Sequence, residues 1–157
     1  MNIARGAAES AEGTNRSLDD ITGAIVDAAY RLHTGLGPGL LESVYEVILA
    51  RDLARQGFTV ERQRALSFDY DGLHFDDVLR VDLLVEGHVV VEIKSVERAS
   101  PVHSKQLLTY LRLLKLPVGL LINFGAPTLK EGLHRVVNGL QSSASPRLRV
   151  NQIQPKG

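Results

Sequence analysis

Three ionisable residues fall on what read as two neighbouring interior strands: Asp82 within "VLRVDLLVE", and Glu92 and Lys94 within "HVVVEIKS". A lone charge taken out of water is costly enough to shift its pKa toward neutrality, so charges on such strands mark either a sheet margin or a site. Alternation along a strand puts Glu92 and Lys94 on one face with Val90, opposite Val89, Val91 and Ile93. On the preceding strand the same rule sets Arg80, Asp82 and Leu84 against Val81, Leu83 and Val85. Pairing Asp82 with Glu92 leaves Glu86-Gly87-His88 as a three-residue loop around a glycine and gathers two carboxylates and an ammonium on one patch. A tight two-residue turn would send the carboxylates to opposite faces. Paired carboxylates are hard oxygen ligands suited to Mg²⁺ or Mn²⁺, with water and substrate phosphate oxygens completing the shell. A lysine beside them orients water or offsets charge in a transition state. The same residue types also make a plain salt-bridge cluster at a strand end, which is the commoner meaning of an isolated E-x-K.

The elements that must position these residues come from an ordinary composition. The chain has 157 residues, 44% apolar and 23% charged, enough for one domain with a substantial core. It has no cysteine, which removes disulfides, thiolate nucleophiles and Cys-type zinc sites, and its five histidines show no paired ligand spacing. Any catalysis therefore uses oxygen and nitrogen groups. Residues 1–16 are small and polar and read as a disordered leader without an apolar signal core. No apolar run approaches the roughly 18 residues of a membrane span, so the expected setting is cytoplasmic, with no membrane partner. The net charge of zero hides a polarity: residues 1–100 hold 10 Lys/Arg against 17 Asp/Glu, while residues 101–157 hold 8 Lys/Arg and one acid, Glu131. Such a polarity presents one side to an anionic partner, or interleaves and pairs within the fold or between protomers.

The domain is expected over 17–140. Ile21, Ala24, Ile25, Ala28, Ala29 and Leu32 keep helical spacing, with Ser17 or Asp19 as N-cap, until "HTGLGPGL" breaks the pattern. Leu41, Val44, Tyr45, Ile48 and Leu53 mark a second helix ending at Gly57 and carrying Glu42 in its first turn. "FTVERQ", "ALSFDY" and, after the Asp71-Gly72 turn, "LHF" precede the two strands of the patch. Ser100-Pro101 starts a helix with Leu107, Leu108, Leu111 and Leu114 as its buried stripe. "PVGLLINF" reads as a buried strand, followed by a helix from about Thr128 to Asn138. Residues 141–157 read as a tail in which "RLRVNQI" offers an edge strand. The order implies an α/β fold: a mixed central sheet of about five strands flanked by helices on both faces, with a parallel pair bridged by the helical crossover.

An Asp on one strand, Glu-x-Lys on the next, and an acidic residue on a preceding helix resemble the PD-(D/E)XK nuclease superfamily; Val81 stands where a proline precedes the aspartate in the motif. Gly39-x-x-Glu42-x-x-Tyr45 and the stretch from Ser95 to Gly125 resemble the GxxExxY protein family within it, over roughly residues 18–138. The resemblance implies a restriction-endonuclease-like core and a metal-dependent nuclease acting on nucleic acid, DNA ahead of RNA. By it, Asp82 and Glu92 are direct metal ligands, the Ile93 carbonyl a third, Glu42 the helical acid that holds or orients the ion, and Lys94 the catalytic lysine. Gln106 and Tyr110, at i and i+4 on one helix face, resemble the Gln-x-x-x-Tyr signature of the exonuclease branch and are expected at the substrate. His103, one turn earlier, is placed to reach phosphate. Tyr45 falls in an apolar stripe and reads as packing, and "GLGPG" as the connector that positions Glu42. A small core of this kind embraces a duplex with the help of a second copy or a protein partner. The competing readings are a non-catalytic nucleic-acid-binding or protein-scaffold module on the same fold, and a dimerisation domain.

Overall fold

The structure is a computed structural model that describes residues 15–139. Helix α1 (Leu18–Leu36) starts at Ser17, whose hydroxyl accepts from the Asp20 amide while the Asp20 carboxylate takes the Ser17 amide, a reciprocal cap of about 1 kcal/mol. It runs through His33, Thr34 and Gly35, past the break expected after Leu32, and stops at Gly37, whose φ of 77° suits glycine. Helix α2 (Glu42–Arg55) follows directly. Strands β1 (Val60–Tyr70) and β2 (Leu73–Val85) form one long hairpin that fuses the shorter segments read from the sequence. Its two-residue turn is Asp71-Gly72, both at positive φ. Strand β3 (Val89–Lys94) returns from β2 through Glu86-Gly87-His88. Helix α3 (Pro101–Leu114), capped by Ser100 with proline at its start, crosses to strand β4 (Val118–Asn123), which pairs parallel to β3.

After β4 the chain departs from expectation. Only Leu129–Gly132 is helical (α4), and Leu133–Val137 forms strand β5, antiparallel to β4. A methyl group on Gly132 would stand 2.2 Å from the Asn123 carbonyl oxygen, so the chain turns there in contact with the backbone leaving β4. The β-branched Val136 and Val137 then pair with Gly119 and Val118.

The sheet order is β1-β2-β3-β4-β5. Helices α1 and α2 bury Ile25, Ala29, Tyr45, Leu49 and Leu53 against Leu83, Val85, Val91, Ile93 and Leu120 on one face. Helix α3 covers the other, packing Leu107 and Leu111 on Val81, Leu84, Val90 and Leu121. Val81 thus shares the face of Leu84, and the strict alternation expected on β2 breaks at Asp82. Residues 1–14 of the expected leader and the tail 141–157 with its candidate edge strand lie outside the described residues; Arg16 sits 4.0 Å over the Phe58 ring and donates to the Gly57 carbonyl. Among the described residues no helix is long and apolar enough to cross a membrane.

Candidate active site

The β2–β3 ladder runs from Val85–Val89 to Leu83–Val91, and at the next position the side chains take over. The Asp82 amide donates to Glu92 Oε2 (3.1 Å) and the Ile93 amide donates to Asp82 Oδ2 (2.8 Å). Strand β3 meanwhile stays paired with β4 through Lys94–Asn123, so β2 and β3 part like a fork with the two carboxylates in the opening. The N–H and C=O of a strand residue lie on the same edge. The Ile93 carbonyl therefore faces this gap as well.

Asp82 occupies an irregularity on its other side too. In β1–β2, Arg62 pairs with Leu83 and Arg64 with Val81, while the intervening Gln63 and Asp82 are left out of the ladder. Gln63 adopts φ 47°, and its side-chain nitrogen donates to Asp82 Oδ1 (3.2 Å) and Glu46 Oε1 (2.7 Å).

Burial pushes the Glu92 carboxyl up to about pKa 7, the Asp82 charge and, more weakly, that of Glu42 push in the same direction, and the Asp82 amide and the Lys94 ammonium oppose them. Lys94 lies two residues on, on the face shared with Val90 and so on the side of α3. The patch holds more negative charge than Lys94 offsets, the electrostatic condition that a cation relieves.

Glu42 reaches the same strand end from α2: its Oε2 accepts from the Ser95 amide (3.2 Å). The loop before it is held by Tyr45, which is fully buried, stacks on Phe124 at 4.4 Å, donates to the Gly37 carbonyl (2.6 Å) and accepts from the Leu40 amide (3.2 Å). The packing role read for Tyr45 is thereby joined to shaping the "GLGPG" connector. An open cleft of about 710 Å³, lined in part by Leu40, Leu41, Val44, Ser95 and Val96, adjoins Glu42. Asn123 clamps the loop after Lys94: its Oδ1 accepts from the Val96 and Gly125 amides, and its Nδ2 donates to the Val96 carbonyl.

The described residues contain no group of three acidic or histidine side chains close enough to hold a metal by themselves. Asp82 and Glu92 are brought together; Glu42 stands within electrostatic range of Glu92 but is bonded to Ser95. Two carboxylates and a carbonyl suit a Mg²⁺ that keeps several waters and takes substrate oxygens, so the donor set fits such an ion. On α3, Gln106 Nε2 donates to Tyr110 Oη (3.2 Å), and among the described residues this pair makes no bond to the carboxylates. His103 Nδ1 is buried without a partner among the described residues. Sequence reasoning missed Glu46, Arg62, Gln63, Arg80 and Asn123. The available signals were Glu46 one turn after Glu42, and the polar run Glu61-Arg62-Gln63-Arg64 inside a strand.

A mixed five-stranded sheet with helices on both faces, forked beside an Asp and a Glu-x-Lys, is a restriction-endonuclease-like architecture. Residues 19–136 match the family model of the PD-(D/E)XK nuclease superfamily, and the chain belongs to that superfamily. No curated protein matches the chain. Among solved structures, the crystal structure of SSO0001 is similar at 17% identity over 87% of each chain, with a TM-score of 0.37.

Proposed function

We propose that the protein is a divalent-metal-dependent nuclease of the GxxExxY branch, hydrolysing phosphodiester bonds of nucleic acid, DNA ahead of RNA. The observation that carries this reading is the pair of carboxylates, Asp82 and Glu92, converging in the β2–β3 fork with Lys94 on the same strand as Glu92. Gly39, Glu42 and Tyr45 at their motif spacing support the branch. Asp82, Glu92 and the Ile93 carbonyl would hold Mg²⁺ or Mn²⁺, with Glu42 acting directly or through water. When bound, the ion polarises the scissile phosphate and lowers the pKa of water. Lys94 holds the attacking water by its ammonium and offsets charge that develops on the phosphate. Gln106, Tyr110 and His103 orient the strand from the α3 side, and a second copy or a protein partner would complete the grip on a duplex.

The test is a panel of labelled single- and double-stranded DNA and RNA incubated with Mg²⁺ or Mn²⁺. Cleavage that disappears in EDTA and in Asp82→Ala is expected. If nothing in the panel is cut while nucleic acid or a protein binds in a manner that Asp82→Ala abolishes, the scaffold reading replaces the nuclease.

A further inference from the structure

We infer that Gln63 is a positioning residue whose side-chain amide, anchored on the buried Glu46, sets the orientation of the Asp82 carboxylate toward the cation. The inference rests on the metal-dependent reading above and deepens it. Gln63 sits in the left-handed region, φ 47°, uncommon for a residue with a side chain. Such a conformation persists only where its surroundings over-determine it, and here they do. Arg80 Nη1 donates to the Gln63 carbonyl (3.1 Å), while the side-chain amide is held at its far end by Glu46 and Asp82. Chemistry fixes which way the amide points. Both neighbours are carboxylates, so the nitrogen with its two hydrogens, and not the oxygen, must stand between them.

Glu46 is 5% exposed and would be an expensive bare charge. Arg62 Nε donates to its Oε2 at 3.1 Å, which balances that charge and leaves Oε1 for Gln63. Arg62 thereby keeps Glu46 from adding to the negative potential at Asp82 and Glu92. Asp82 then has one oxygen tied to Gln63 and the other to the Ile93 amide. With both oxygens tethered from opposite strands, the plane of the carboxylate is set, and its remaining lone pairs are directed by that plane. Partners of this kind behind a metal ligand typically change metal affinity by roughly 10–100-fold. Glu46 lies one turn beyond Glu42, so α2 governs both acids: Glu42 directly, and Asp82 through Gln63.

Two substitutions test this. Gln63→Gly keeps the left-handed backbone at no steric cost and removes the amide. Gln63→Asn tolerates the same backbone but is one methylene too short to span Glu46 and Asp82. In EDTA both should melt near the wild type, with faster hydrogen exchange at the Ile93 amide as the Asp82 carboxylate loses its tether. Mn²⁺ affinity by calorimetry should fall about 10–100-fold, and the Mn²⁺ needed for half-maximal cleavage should rise in step, while the rate at saturating Mn²⁺ recovers. If the glycine variant loses its fold, the asparagine variant carries the same comparison. Unchanged Ile93 exchange and unchanged Mn²⁺ affinity would overturn the assignment. Wild-type Mn²⁺ binding that Asp82→Ala leaves intact would sink the metal reading instead; Ile93 exchange, read without metal, would still judge Gln63.

Discussion

A carboxyl group that holds its proton up to about pH 7 ties the stability of the apo protein to pH in a defined direction. Glu92 titrates near 4.5 when unfolded and about 7 when folded. Between those values the folded chain binds the extra proton, so stability falls as pH rises from 4.5 through 7 and stays low above it, by on the order of 3 kcal/mol. Glu92→Gln keeps an acceptor for the Asp82 amide and removes the charge. In EDTA it should melt several degrees above the wild type at pH 8 and show less decline from pH 5 to 8. Saturating Mg²⁺ should narrow the gap by stabilising only the wild type. Melting curves over that range check this, and a variant no more stable at pH 8 would refute the cost assigned to Glu92. Part of this site was legible from residues alone: the three residues between Val85 and Val89 set the register that faces Asp82 to Glu92. Beyond the polar run it belongs to, nothing in the sequence singled out Gln63, because a positive φ inside a strand has no local signature when the residue is glutamine and its partners, Glu46 and Arg80, lie on other elements.

Elements deliver these side chains through the loops that join them. Strands β3 and β4 end side by side, and Asn123, 2% exposed, ties Val96 to Gly125 across the exit. That closeness leaves no room for a side chain: a methyl group on Gly125 would stand 2.4 Å from the Val96 carbonyl oxygen and 2.7 Å from its nitrogen. Gly125→Ala must push the Val96 backbone away and with it Ser95, the partner of Glu42. We expect a loss of about 1–3 kcal/mol from overpacking, and a larger fractional loss of cleavage than the fall in melting temperature explains. Full activity with an unchanged melting point would show that this loop does not position the site. The strand after α4 was misread as helix because Leu129, Leu133 and Val136 recur at i, i+4 and i+7, a helical period, over only one turn of true helix. What decides the matter is non-local: pairing with β4 and the contact of Gly132 with the Asn123 carbonyl.

Across the whole molecule, the charge polarity of the sequence is partly interleaved by the fold. The exposed end of the β1–β2 hairpin carries Asp69, Asp71, Asp76 and Asp77, but Lys115 after α3 lines a groove with Asp69, and Arg135 on β5 pairs with Asp19 of α1 at 3.9 Å. Glu92 and Lys94 share the face that α3 covers, where Lys105 and Arg112 are exposed, while Asp82 is tied through Gln63 to Glu46 of α2. Composition and strand order were enough to read an α/β core with a central mixed sheet; the fork between β2 and β3 was not, because it depends on side chains replacing ladder bonds at a single position. Whether these groups cut a phosphodiester or merely bind one is decided at Lys94. Lys94→Ala tests it most directly, assayed with Mg²⁺ at pH 8, where Glu92 is ionised, and with Mn²⁺ and nucleic-acid affinities measured on the same preparation. Lys94→Ala is expected to fold and to keep both affinities within a few-fold while cleavage falls at least about 100-fold, since the loss falls on the chemical step. A folded Lys94→Ala protein that cleaves at the wild-type rate would contradict this role for Lys94.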